Sequence, residues 1–132
     1  QSLLELLKNS MAAVVQRHPG APPPVQIQIT DMSNHVSLDI IDEGTGIRAH
    51  DMNSIFRIGH TSSSKRWDRL EEQQSYAAVR SPLSSLGVGL TVAKLQTLHF
   101  GGSLDIDNHG DRPGCTARLA LPTDDTILEQ LP

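Results

Sequence analysis

The sequence is poor in the features that define several large protein classes. One cysteine among 132 residues allows no intrachain disulfide and no cysteine-based zinc spacing. This suits a reducing compartment. No apolar run approaches the roughly 18–20 residues that a membrane-spanning helix needs, and no signal-peptide pattern is present. There is no basic excess either. The formal net charge is −4, which argues against a dedicated nucleic-acid binder. A phosphate ligand survives that argument, because helix termini and a metal can bind one. Two familiar phosphate motifs are nevertheless missing. No GxxxxGK-Ser/Thr loop occurs, and Val92 stands where GxGxxG would need its third glycine. The six histidines are scattered without ligand spacing. What is there is 37% apolar and 20% charged residues. That supports one domain with a real core and not a disordered chain. Gln1 opens the chain and a helical pattern is under way by Leu3, as expected of a piece of a longer protein whose upstream part is absent.

Leu3, Leu4, Leu7, Met11, Val14 and Val15 recur at helical spacing, so a helix is expected from Ser2 to about Gln16, ended by His18-Pro19-Gly20. Val25, Ile27 and Ile29 alternate with polar residues as in a half-buried strand. Val36, Leu38 and Ile40 form a second strand, expected to pair antiparallel with the first. A short helix from about His50 to Phe56 is expected next. From Arg57 to Ser85 the pattern collapses into a Ser-, Arg-, Glu- and Gln-rich stretch. It exceeds the roughly 12–15 residues usual for a structureless loop in a compact domain. Leu90, Val92, Ala93, Leu95 and Leu98 predict a further helix ending near Gly101-Gly102. Leu104 and Ile106 make a third strand. Ala117, Leu119 and Leu121 make a fourth. The order predicts an α+β fold: an α/β sandwich, with helices on one face of a mostly antiparallel mixed sheet. Closely connected strands exclude a doubly wound parallel sheet.

Four short segments could carry chemistry. Glu5 and Asn9 are four apart on one helix face. Asn9 could offer an oxygen to Mg²⁺, which takes few protein ligands, and Glu5 could act as a base. Taken alone, such a pair is more often an ordinary exposed surface. Asp42-Glu43-Gly44-Thr45-Gly46 follows a strand. A fixed carboxylate there can accept from an exocyclic amine, and glycines let a flat ring approach. A polar turn fits this segment equally well. Gly87-Val88-Gly89 opens a helix whose N–H groups could meet phosphate, or serves as a hinge. Thr116 could hold a water or ring nitrogen, although threonine is common in strands. Cys115, beside an apolar strand, is expected to be buried and inert.

Together these segments form an ordered set: E-x-x-x-N on a helix, D-x-G-x-G after a strand, a long polar loop, G-x-G-L at a helix start, and G-x-T on a strand. The set resembles the GHKL ATPase superfamily with its Bergerat-type nucleotide fold, over nearly the whole chain. Within it, Glu5-Leu6-Leu7-Lys8-Asn9-Ser10-Met11 is similar to the E-L-x-K-N-A/S-M helix of the mitochondrial kinases of pyruvate and branched-chain 2-oxoacid dehydrogenases. Gly87-Val88-Gly89-Leu90 and Phe100-Gly101-Gly102-Ser103-Leu104 resemble further segments of those kinases.

The resemblance implies a single ATP-binding domain over residues 1–132, with ATP and Mg²⁺ as ligands. Asn9 would coordinate Mg²⁺ and Glu5 would orient or deprotonate the acceptor hydroxyl. Asp42 would accept from the adenine amine, helped by Thr116. Gly44 and Gly46 would line the base pocket. Gly87, Val88, Gly89 and Leu90 would meet the phosphates. Residues 57–85 would be an ATP lid, with Thr61 and Ser62 near its leading edge. It further implies transfer of a phosphoryl group to a serine of a dehydrogenase component in the mitochondrial matrix. No nucleic-acid or membrane partner is expected, and a homodimer is compatible with it. Two positions depart from the kinases: Ala12 replaces an arginine and Ser85 a glycine. These departures keep open a nucleotide-switched binding module without phosphoryl transfer, and the general motifs, shared with bacterial histidine kinases, keep open a histidine kinase catalytic domain.

Overall fold

The computed structural model describes residues 2–57 and 89–123. In chain order these residues form α1 (Ser2–Arg17), β1 (Gln26–Asp31), β2 (His35–Ile41), α2 (Ala49–Met52), α3 (Gly89–His99), β3 (Ser103–Asn108) and β4 (Cys115–Pro122). The proposed lid beyond Arg57, with Thr61, Ser62, Ser85, Gly87 and Val88, and the tail beyond Thr123 lie outside the described residues.

The strands form one sheet in the order β1-β2-β4-β3. All three pairings are antiparallel, so the expected mixed character is absent among the described residues. Side chains alternate across a sheet, and the register carries this alternation through all four strands. Ile27, Ile40, Ala117 and Ile106 share one row, and Ile29, Leu38, Leu119 and Leu104 share another. These rows point toward the helices. The intervening row of Gln28, Asp39, Arg118 and Asp105 points the other way, with Arg118 donating to both Asp39 carboxylate oxygens at 2.8 and 2.7 Å.

The core joins Leu6 of α1 and Ala93 of α3 to Ile40, Leu104, Ala117 and Leu119 of the sheet. Each large aliphatic chain buried there contributes about 1.5–3 kcal/mol. Only part of the expected stripe of α1 is covered, Val14 being buried and Leu7 packing against the core. Leu6, Ser10 and Val14 are buried with Glu5, while Leu3, Leu4, Met11 and Val15 are exposed. Ala13 lets α1 lie close to the segment after β2, against Gly44.

Glu5 in the first turn of α1 and Arg17 in the last complement the helix dipole. α3 ends as expected. Gly101 adopts φ +73, and the Gly102 N–H reaches the Thr97 carbonyl at 2.9 Å, a glycine-dependent stop.

Two expectations are corrected. α2 spans only Ala49–Met52, because the chain tightens into turns in which Ser54 N–H bonds Asp51 O and Arg57 N–H bonds Ser54 O, each at 2.8 Å. β1 is exposed along its whole length rather than half-buried. α1 packs on α3 and β2, and α3 packs on β3 and β4, so the helix layer stops short of this edge strand. No helix among the described residues is long and apolar enough to cross a membrane.

Candidate functional site

The polar segment after β2 is held at the end of the sheet. Asp42 extends the ladder, its N–H bonding the Cys115 carbonyl at 3.0 Å. Its side chain is only 1% exposed. Oδ1 accepts from the N–H of Gly44 at 2.9 Å and of Cys115 at 3.3 Å. Oδ2 accepts from the Cys115 thiol at 3.3 Å. A buried carboxylate is tolerable only with such donors. Burial, and then the nearby Asp42 charge, push the Cys115 thiol up to about 12, so it stays protonated and donates.

Glycine is required at two points here. A Cβ on Gly44 would sit 2.6 Å from Ala13 Cβ and 2.8 Å from the Ala13 carbonyl carbon. Gly114 has φ +110, and a Cβ there would strike the Asp42 carbonyl. Gly46 also turns left-handed, at φ +70.

Several residues that brace this segment were not legible as functional. The Asn108 amide accepts from Ile47 N–H at 2.8 Å and donates to Ile47 O at 2.6 Å. His109 Nε2 donates to the Asp42 carbonyl at 3.0 Å. From the other side, Arg17 donates to the Glu43 carbonyl at 3.0 Å and His18 Nε2 does so at 3.1 Å. A lone Asn after a strand reads as a turn former, which hid its bracing role. A cavity of about 200 Å³ lies between Thr45, Gly46, Ile47 and the Asn108–Gly114 connection. It reaches neither the Asp42 carboxylate nor Glu5 or Asn9.

The other end of the site lies where α1 meets α3. Glu5 is 4% exposed and pairs with Lys8 at 3.4 Å. A Cβ on Gly89 would sit 2.7 Å from Glu5 Oε2, so glycine allows this carboxylate against the first turn of α3. Thr91 Oγ1 donates to the Phe56 carbonyl at 2.7 Å, and Lys94 Nζ lies 4.2 Å from the Phe56 ring centroid. These contacts tie the start of α3 to the end of the α2 segment. Leu90 packs on the core.

The spine of the arrangement is α1 itself. Glu5 touches Gly89, Ala13 touches Gly44 and Arg17 touches Glu43. Asn9, exposed, lies midway between Glu5 and Ala13. These residues are spaced by four on one winding face, and eight residues from Glu5 to Ala13 span about 12 Å. A carboxylate acceptor thus sits at one end of the face and a helix start at the other.

Asp42, Gly44 and Gly46 are therefore brought together, as are Glu5 and Gly89. Thr116 is not among them. Its register with Ile41 and Asp107 places it on the Arg118 side of the sheet, away from the helices. Strand alternation gives the place beside Asp42 to Cys115, which is half-buried rather than buried. Among the described residues no three His, Cys, Asp or Glu side chains cluster as a metal site. Asn9 fits the sparser Mg²⁺ pattern, in which one protein oxygen joins waters and phosphate oxygens.

The family profile described as histidine kinase-, DNA gyrase B-, and HSP90-like ATPase matches residues 1–125. A mitochondrial pyruvate dehydrogenase (acetyl-transferring) kinase of Schizosaccharomyces pombe is 28% identical over 80% of this chain and 25% of its own length. The corresponding Arabidopsis thaliana kinase is 30% identical over 79% of this chain and 29% of its own. The human isozyme 1 is 26% identical over 79% and 23%. The chain thus spans about a quarter of the length of these curated relatives.

Proposed function

Because the chain belongs to the histidine kinase-, DNA gyrase B- and HSP90-like ATPase family, we propose that it is the ATP-binding domain of a mitochondrial-type serine protein kinase. Its acceptor would be a serine of a 2-oxoacid dehydrogenase component. The observation that carries this reading is the α1 face running from the Glu5–Gly89 contact to the Ala13–Gly44 contact beside Asp42. Its two ends supply what a nucleotide needs: an acceptor for a base amine, and helix-start N–H groups for phosphate.

In this reading Asp42 accepts one hydrogen of the adenine amine, and Gly44 and Gly46 leave room for the ring. Gly89 and Leu90 lie toward the phosphates, as would Gly87 and Val88. Thr61 and Ser62 would approach them from the lid. Asn9 would hold Mg²⁺, which neutralises phosphate charge when bound; phosphoryl transfer depends mainly on such positioning and neutralisation. Glu5 would orient or deprotonate the acceptor hydroxyl. The relatives named as mitochondrial pyruvate dehydrogenase kinases support the substrate class and a mitochondrial location.

The burial of Glu5 favours a second reading. Glu5 at 4% exposure and Asp42 at 1% both meet a ligand only once the site opens, as in a nucleotide-switched binding module. Transfer of labelled γ-phosphate to dehydrogenase components separates the two. A kinase loses at least about a hundredfold in turnover on Glu5→Gln while Mg-ATP binding persists. Binding without product on any component, in the full-length protein, supports the switch.

A further inference from the structure

We propose that residues 124–132 dock on the uncovered apolar half of the sheet, on the helix side of β1 and β2, and supply the cover that α1 and α3 do not. The helix-facing side of the sheet is unevenly buried. Ile40, Leu104 and Ala117, packed with α1 and α3, are no more than 4% exposed. Toward the β1 edge, Ile27 is 50% and Ile29 67% exposed. The next helix-facing row sets Val36 opposite Leu121, which is 39% exposed. Val36 and Leu38 are half-buried. Ile27, Ile29, Val36, Leu38 and Leu121 thus form one contiguous apolar surface across β1, β2 and the end of β4. Single exposed apolar side chains are ordinary, but a contiguous patch marks a contact surface.

The chain itself delivers the occupant to this surface. β4 ends at Pro122 opposite His35, and the Thr123 N–H bonds the Asn34 carbonyl at 3.1 Å. Residue 124 therefore starts beside the β1–β2 turn, next to the Val36–Leu121 pair. The segment reads Asp124-Asp125-Thr126-Ile127-Leu128-Glu129-Gln130-Leu131-Pro132. Ile127, Leu128 and Leu131 are spaced as on one face of a helix, and the leading acids suit a helix start. So short a helix is marginal without a surface to cover. The reach is right. Ile29 lies two strands across and four strand positions along from Thr123, roughly 16 Å away. From Thr123 to Leu131 the chain spans about 12 Å as helix and up to about 27 Å extended. Leu131 can therefore meet Ile29 while Ile127 and Leu128 lie over Val36 and Leu121. The opposite face offers no such match, with Gln28, Asp39 and Arg118 in one row and Thr30, Ser37 and Ala120 in the next. This packing does not depend on a bound nucleotide.

Photo-crosslinking in the full-length protein tests the contact. Benzoylphenylalanine replaces Ile29 in a subunit-exchanged mixture of isotopically light and heavy protein, and mass spectrometry locates the adducts. Adducts within residues 127–131 of the same copy are expected. The same probe at Gln28, on the opposite face of β1, is expected to give none there. Adducts from position 29 to a second copy, or to any other part of the same chain, would overturn the proposal. So would no adduct from position 29, or equal labelling of residues 127–131 from both positions.

Thermal unfolding of the full-length protein gives a second readout that needs no probe. Leu128→Ser is expected to lower Tm by roughly 3–6 °C, and Ile29→Ser by a similar amount. The double variant is expected to melt within about 1 °C of the less stable single variant, since the same contact is lost only once. Additive losses, or Leu128→Ser melting with wild type, would overturn the proposal.

Discussion

Gly44→Ala is the sharpest structural perturbation of the site. The added methyl would lie 2.6 Å from Ala13 Cβ and 2.8 Å from the Ala13 carbonyl carbon. The second neighbour is helix backbone and cannot rotate away, so α1 or the Asp42–Ile47 segment must shift. Overpacking of this kind costs roughly 1–3 kcal/mol. Taking about 2 kcal/mol, a domain of this size loses on the order of 6–10 °C in Tm. Urea unfolding followed by circular dichroism measures the change directly. Ala13→Gly removes the methyl–methyl contact but not the backbone one. It carries its own helix cost of about 1 kcal/mol. The double variant is therefore expected to recover only part of the loss, with a coupling of roughly 1 kcal/mol in a double-mutant cycle. The same shift should weaken Mg-ATP. Gly44→Ala within about 0.5 kcal/mol of wild type, with no coupling to Ala13, would refute the packing argument.

Two further outcomes follow from charge. Arg118 beside Asp39 holds that carboxyl below its ordinary value of 3.8. A lowered folded pKa adds stability that is full above the unfolded value and is lost as pH falls through the folded one. Arg118→Met should therefore lower stability near neutrality and flatten the acid limb below about pH 4. An acid limb identical to wild type would show the pair to be idle. For Cys115, a thiol held up to about 12 has on the order of one molecule in ten thousand ionised at pH 8. Alkylation by iodoacetamide should be slow in the folded protein and fast in urea, followed by mass spectrometry. Rapid labelling of folded protein would contradict the Cys115–Asp42 contact.

Element types were legible because period-two and helical patterns persist over enough residues to be distinct. Burial was less legible. Ile27 and Ile29 alternate like a half-buried strand, yet they are 50% and 67% exposed, because alternation identifies a face and not what covers it. α1 has more apolar residues than one face can bury, and its small Ala13 is the residue that lies against Gly44. At the site, D-x-G-x-G located Asp42 and its glycines. Thr116, expected to help hold the base, faces the other side of the sheet, and strand parity puts Cys115 beside Asp42. Asn108, His109, Arg17 and His18 brace the loop across long sequence separations, and no local pattern announces such contacts.

The central claim is that Asp42 reads the base of a bound nucleotide. Calorimetric titration of Mg-ATP into this chain and into the full-length protein, each beside its Asp42→Ala variant, tests it most directly. The account predicts saturable binding to wild type that falls by at least about tenfold in the variant. Undiminished binding in Asp42→Ala, or no binding to either wild-type protein, would contradict it.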